Sequence, residues 1–136
     1  MSINGLTKGT DLEKSISAAA QAEANGVMTY YALARLAEEQ GLNEVSNKFI
    51  EIANQEAVHA GFYAVLNGKY PSDFWDFVAN FQKAEENAEN ALLPLADKLR
   101  EMGHSDAAES VEKYAAQEKT HGVILSEMIR KYRNKF

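Results

Sequence analysis

Apolar residues recur at intervals of three and four along nearly the whole chain, the spacing that gathers side chains on one face of an α-helix. Short breaks at Gly41, at Asn67–Gly68 with Pro71 and Ser72, and at Gly103 divide the pattern into four runs. Helix A is expected over about 11–40, opening at Thr10, whose hydroxyl can cap the first turn while Glu13 reaches back. Helix B is expected over about 44–67, helix C over about 73–102 after Pro71 and Ser72, and helix D over about 106–131. Gly41 and Gly103 suit the left-handed residue that follows a helix.

The inward stripe of helix A reads Leu12, Ile16, Ala19, Glu23, Gly26, Tyr30, Leu33 and Ala37. Adding 62 to each number gives Phe74, Val78, Phe81, Glu85, Ala88, Leu92, Leu95 and Leu99, the stripe of helix C. The same shift turns Val45, Phe49, Ile52, Glu56, His59, Tyr63 and Leu66 of helix B into Ala107, Val111, Tyr114, Glu118, His121, Leu125 and Met128 of helix D. Gly41 maps onto Gly103 and Asn43 onto Ser105. One helical hairpin is therefore repeated without a gap, and the expected fold is all-α: two repeated hairpins forming a four-helix bundle.

Composition narrows the chemistry. The 136 residues suit one domain, residues 1–136, and contain no cysteine, which removes thiolate nucleophiles, disulfides and every sulfur-ligated metal site. A net charge of −6 argues against nucleic acid as a partner. No apolar run reaches the length of a membrane span, and the first residues lack a secretory signal, so a soluble cytoplasmic protein is expected. The cationic cluster Arg130, Lys131, Arg133 and Lys135 reads as the complement to the dipole of a last helix.

Against this background the polar residues inside the apolar stripes stand out. A buried carboxylate without a partner costs several kcal/mol, yet the repeat sets Glu23, Glu56, Glu85 and Glu118 on the inward faces. His59 and His121 follow one turn after Glu56 and Glu118, and Glu-x-x-His on a helix brings both side chains to one ion. The two glutamates of each hairpin stand 33 residues apart in both halves. This is the inward ligand set of di-iron carboxylate bundles, and oxygen ligands with one imidazole per metal favour iron or manganese over zinc. Glu89, four residues after Glu85, is either a seventh ligand or a rim residue; Glu86 points about 100° away. Tyr30 either donates to a ligand carboxylate or passes protons, or it serves as a core tyrosine. Tyr63, Tyr114 and Trp75 read as packing residues, and His104 as a surface residue.

Residues 11 to 131 resemble the rubrerythrin family, most specifically in Ala53-Asn54-Gln55-Glu56-Ala57-Val58-His59-Ala60 and Ala116-Gln117-Glu118-Lys119-Thr120-His121. Glu23 with Tyr30 is similar to the family's helix A ligand and ligand-bonding tyrosine, and Pro94 nine residues after Glu85 matches its helix C proline. The resemblance implies a ferritin-like bundle holding two iron ions, with manganese or a mixed pair as variants, and reduction of hydrogen peroxide to water. Dioxygen is the other candidate oxidant. Three departures accompany it. The family's further glutamate three residues after the helix C ligand is Ala88 here, and a one-residue slip would make Glu86 and Glu89 the family's pair. The family tyrosine before the proline is replaced by Leu92-Leu93. The rubredoxin domain that often follows is not in this sequence, which implies an external electron donor such as a rubredoxin-like protein. Iron oxidation for storage and a purely structural bundle are the alternative functions.

The connection between helices B and C adds an expectation about assembly. In this ligand order helix C runs parallel to helix B, so the chain must return along the bundle, roughly 34 Å for helices of the expected lengths. The six steps from Asn67 to Asp73 span only about 20 Å when extended. A homodimer that swaps hairpins between chains is expected.

Overall fold

The computed structural model describes residues 2–134 and contains four helices: α1 (Glu13–Glu39), α2 (Asn43–Leu66), α3 (Phe74–Glu101) and α4 (Ser105–Tyr132). No strand occurs among the described residues. These are the helices of the ferritin-like bundle that the sequence predicts. They form two compact units, α1 with α2 up to Ser72 and α3 with α4 from Asp73. None of the helices among the described residues is long and apolar enough to cross a membrane.

The helix ends show how local chemistry sets the boundaries. Thr10 does not cap α1; its hydroxyl accepts from the Leu12 N–H at 3.2 Å and donates to the Thr7 carbonyl at 2.6 Å, inside a turn that precedes the helix. The helix therefore starts at Glu13, with no side-chain cap. Asp73 caps α3 by accepting from the Asp76 N–H at 2.9 Å, a cap the sequence reading attributed to no residue. The hairpin turns are copies of one another. After α1, the N–H of Gly41 bonds Glu38 O and that of Leu42 bonds Ala37 O, both at 2.9 Å; after α3, Gly103 bonds Arg100 O and His104 bonds Leu99 O. Both glycines have positive φ, 77° and 86°, which lets each chain reverse within three residues. Pro94 lies inside α3, which continues through it. At the far end of α4, Arg133 reaches Asp76 at 2.7 Å and Lys131 lies over the Tyr132 ring, while Lys135 is outside the described residues.

Within each unit the two helices meet along small side chains. Ala34, Ala37, Ser46, Ala53 and Ala64 are buried in the first unit, and Ala96, Ala108, Ala115 and Gly122 in the second. Three of these pairs obey the 62-residue shift: Ala34 with Ala96, Ser46 with Ala108, and Ala53 with Ala115. The stripe of large apolar residues is a different face, and within these units it is open. Leu12 is 57% exposed, Phe74 63% and Phe81 50%, and among the described residues no large side chain is fully buried. A hairpin of two helices has one seam; the broad apolar face beside it needs another layer.

The C-terminus of α2 is fastened by the chain's N-terminal segment. Gly5 N–H bonds the Val65 carbonyl at 2.9 Å and Thr7 N–H the Leu66 carbonyl at 3.1 Å. The buried Thr7 hydroxyl also reaches Leu66 O and Asn67 Oδ1, while Asn67 Nδ2 donates to Glu13 O. Three carbonyls that a helix end leaves without partners are thus satisfied, counting Ala64 O, which accepts from Lys69 N–H. Gly68 makes this turn with φ +60°, and a Cβ there would lie 3.0 Å from the Gly5 Cα. Gly68→Ala is expected to destabilise the protein by about 1–3 kcal/mol through backbone strain, read as a lowered denaturant midpoint.

Candidate metal centre

Glu23 comes from the middle of α1, and Glu56 and His59 lie one turn apart on α2; their ligand atoms all fall within 4.8 Å of one another. In the second unit Glu85 of α3 joins Glu118 and His121 of α4 within the same limit. His59 Nδ1 stands 3.6 Å from Glu23 Oε1, and His121 Nδ1 stands 3.6 Å from Glu85 Oε2 and 3.5 Å from Glu118 Oε2. The repeat seen in the sequence is therefore a repeat of geometry. Each cluster offers two carboxylates and one imidazole, and the imidazoles are half exposed while the α1 and α3 glutamates are about one-fifth exposed.

A buried oxygen without a partner tests whether these clusters fit a cation. Glu23 Oε2 and Glu85 Oε2 are both buried with no hydrogen bond. An acceptor left so is costly unless a cation completes it, and the same atom of the same repeat position is left so in both units. The donor sets fit a divalent metal of the iron or manganese kind. In the second unit the Glu85 carboxyl is raised from its ordinary 4.5 by a hydrogen bond with Glu118, then by burial and by the Glu118 charge, with His121 opposing. Two carboxyls facing each other hold a proton more tightly because like charges repel; a cation between them removes that need.

The remaining predicted residues sit around the clusters. The structure brings Glu85, not Glu86, to Glu118 and His121; Glu86 accepts from Gln82 one turn back. Glu89 lies outside the cluster, 3.8 Å from Lys119 Nζ. Tyr30 is half-buried with its ring 6.1 Å from that of Phe49. Tyr63 packs edge-on against Phe62, Trp75 against Phe74, and His104 occupies the N-cap position of α4.

Gly122, directly after His121, is a residue the sequence reading passed over. A Cβ there would meet Glu86 Cγ at 3.2 Å and Glu85 Cβ at 3.7 Å. Its missing side chain lets α4 approach α3 where Glu85 must meet Glu118 and His121. The signal was available in the sequence as a glycine inside a helix with no turn to make.

Comparison with known proteins agrees with the geometry. The family model described as Rubrerythrin matches residues 14–75, which contain the first cluster. An uncharacterized protein of Methanocaldococcus jannaschii is 33% identical over 128 residues, covering 94% of this chain and 91% of its own. Reverse rubrerythrin-1 of Clostridium acetobutylicum is 29% identical over 133 residues, covering 94% of this chain and 72% of its own. No solved structure matches significantly.

The facing carboxyls give a test on metal-free protein. A carboxyl whose folded pKa is raised contributes stability below its unfolded value and loses that contribution as pH rises through the folded value. The melting temperature of the metal-free protein is therefore expected to fall as pH rises past 4.5, and Glu118→Gln to flatten that fall. Parallel melting curves for the two proteins across this range would show that the carboxyls do not interact.

Proposed function

The chain belongs to the rubrerythrin family, and from that premise we propose that it is a non-haem di-iron peroxidase. It reduces hydrogen peroxide to two water molecules with two protons and two electrons, the electrons coming from an external redox partner. The duplicated cluster, one glutamate with Glu-x-x-His in each unit and a buried oxygen without a hydrogen bond in each, is the observation that carries the reading.

In this reading Glu23, Glu56 and His59 with Glu85, Glu118 and His121 hold two iron ions, which when bound supply the electron pair and the Lewis acidity for O–O cleavage. The residues do the rest. Four carboxylates would balance the four positive charges of two divalent ions, and the imidazoles are neutral ligands, so the centre would carry no net charge. Within each unit His59 and His121 are half exposed, while the glutamates of α1 and α3 are sheltered. Tyr30 and Glu89 are the proton-carrying groups this reading assigns. The Tyr30 phenol lies on the Glu23 face of α1, and Lys119 holds Glu89 beside the helix that carries Glu118 and His121. A rubredoxin-like protein suits the role of donor in this reading.

Anaerobic loading with ferrous iron followed by rapid mixing with hydrogen peroxide tests the reading. About two irons per complete centre and oxidation within the mixing experiment are expected. His59→Gln with His121→Gln is expected to lower bound iron below one per centre and to slow oxidation by about 100-fold or more, since each metal loses its nitrogen ligand. Continued iron uptake with dioxygen, far beyond two per centre, would instead identify an iron-storage ferroxidase. Unchanged behaviour of the double variant would reduce the metal to an incidental guest of a structural bundle.

A further inference from the structure

We propose that the α1–α2 unit binds a small organic phosphate in a cavity of about 440 Å³ between the start of α1 and the end of α2. The lining comes from the N-terminal segment, both helices and the turn after α2, all within one unit. The cavity is separate from the metal cluster. Ser17, Gln21 and Lys14 lie about 120°, 160° and 180° around α1 from Glu23. Binding there does not depend on the di-metal reading.

Charge is the first observation. Residues 1–72 carry five cationic side chains, Lys8, Lys14, Arg35, Lys48 and Lys69, against eight carboxylates. Outside the cavity both cations have found a carboxylate: Arg35 pairs with Glu39 at 3.2 Å and Lys48 with Glu51 at 3.5 Å. The other three all line the cavity. Among the described residues none of these three ammonium groups has an ion-pair partner, and Lys69 lies over the Tyr70 ring, 5.5 Å from its centre. Glu13 is the one carboxylate of the lining. Three ammoniums held together against their mutual repulsion leave a net charge of about +2, which a phosphate monoester matches with about −2. The repeat shows that the hairpin fold does not require this charge. A shift of 62 residues turns Lys14 into Asp76 and Gly68 into Arg130, and Asp76 is paired with Arg133 at 2.7 Å.

Positioning is the second observation. Lys8 follows Thr7, whose backbone and hydroxyl are fastened to the end of α2, and Lys69 N–H bonds the Ala64 carbonyl at 3.0 Å. The Lys8 stem passes Gly68, where an added Cβ would stand 3.2 Å from its Cδ. Lys14 stands in the first turn of α1. The lysines are therefore set on fixed backbone around one opening before any ligand arrives. The volume lies in the range of small-molecule sites and is far more than an inorganic phosphate fills. Behind the exposed lysines the lining includes the buried Ala64 and the half-buried Ala20 and Tyr63, an apolar surface for an organic body. Ser17 and Gln21 offer a hydroxyl and an amide to the polar groups of that body.

Isothermal titration calorimetry of the full chain with adenosine monophosphate, ribose phosphate and inorganic phosphate tests the proposal. At least one of the two esters is expected to bind with a Kd below about 1 mM, and about tenfold or more tighter than inorganic phosphate. Lys14→Gln and Lys69→Gln are each expected to weaken that binding about fivefold. Glu13→Gln is expected to tighten it about threefold, a gain that a damaged fold does not produce. Iron-loaded and chelator-treated protein are expected to bind alike; binding confined to the iron-loaded form would place the phosphate on the metal and overturn the site. Binding of neither ester, or binding that all three variants leave unchanged, would overturn it as well. Inorganic phosphate bound as tightly as the esters would overturn the organic ligand. Retention of the protein on phosphatidic acid vesicles, with no binding of the soluble esters, would assign the lysines to a lipid surface instead and overturn the small-molecule site.

Discussion

Carboxylates on the apolar face of a helix set the terms for everything else in this molecule. A charged oxygen removed from water requires a partner, and the two helices of a unit do not supply one for Glu23 Oε2 or Glu85 Oε2. The imidazole nitrogens stand 3.6 Å from Glu23 Oε1 in one unit and from Glu85 Oε2 in the other, too far for a good hydrogen bond. The neighbouring Glu118 raises the pKa of the Glu85 carboxyl. A divalent cation would serve both clusters better than protons do, since it neutralises two carboxylates at once and accepts the imidazole as well. The side chains lie close together because the helices do, which depends in turn on the small residues of each seam: Ala53 and Ala34 in one unit, Ala115 and Gly122 in the other.

The same division explains why a hairpin is only half of a protein. Each seam is lined by alanines and is narrow, and burying methyl groups alone yields little hydrophobic stabilisation. The large residues, among them Leu12, Phe74 and Phe81, lie on the face that also carries the ligands. Metal bound by the three ligands of a unit would add its binding energy to that unit's stability, as in small metal-dependent domains where binding energy is also folding energy.

Much of this was legible in the sequence because the chain says everything twice. The shift of 62 residues fixed the phase of both Glu-x-x-His segments and, with it, the pairing of Glu23 with Glu56 and of Glu85 with Glu118. The turns at Gly41 and Gly103 followed from glycines at equivalent ends. What stayed hidden depended on contacts between residues distant in sequence. Thr10 has the local pattern of a cap, but Thr7 and the end of α2 draw the preceding segment into a separate turn. The seam of small residues was present in register, yet alanine carries little periodic signal beside leucine and phenylalanine. Gly122 looked like a weak point in a helix until Glu86 was placed against it. The 62-residue shift chose Glu85 over Glu86, the one-residue slip left the pair open, and the packing of α3 against α4 brings Glu85 to Glu118 and His121.

In the proposed function the two clusters serve one dinuclear centre rather than two separate metal sites. Electron paramagnetic resonance of the iron-loaded, fully oxidised protein tests it most directly, because two ferric ions bridged by carboxylates couple their spins. The account predicts iron present by analysis with no signal from high-spin ferric ions. A strong signal of isolated ferric iron, accounting for all the metal bound, would contradict it.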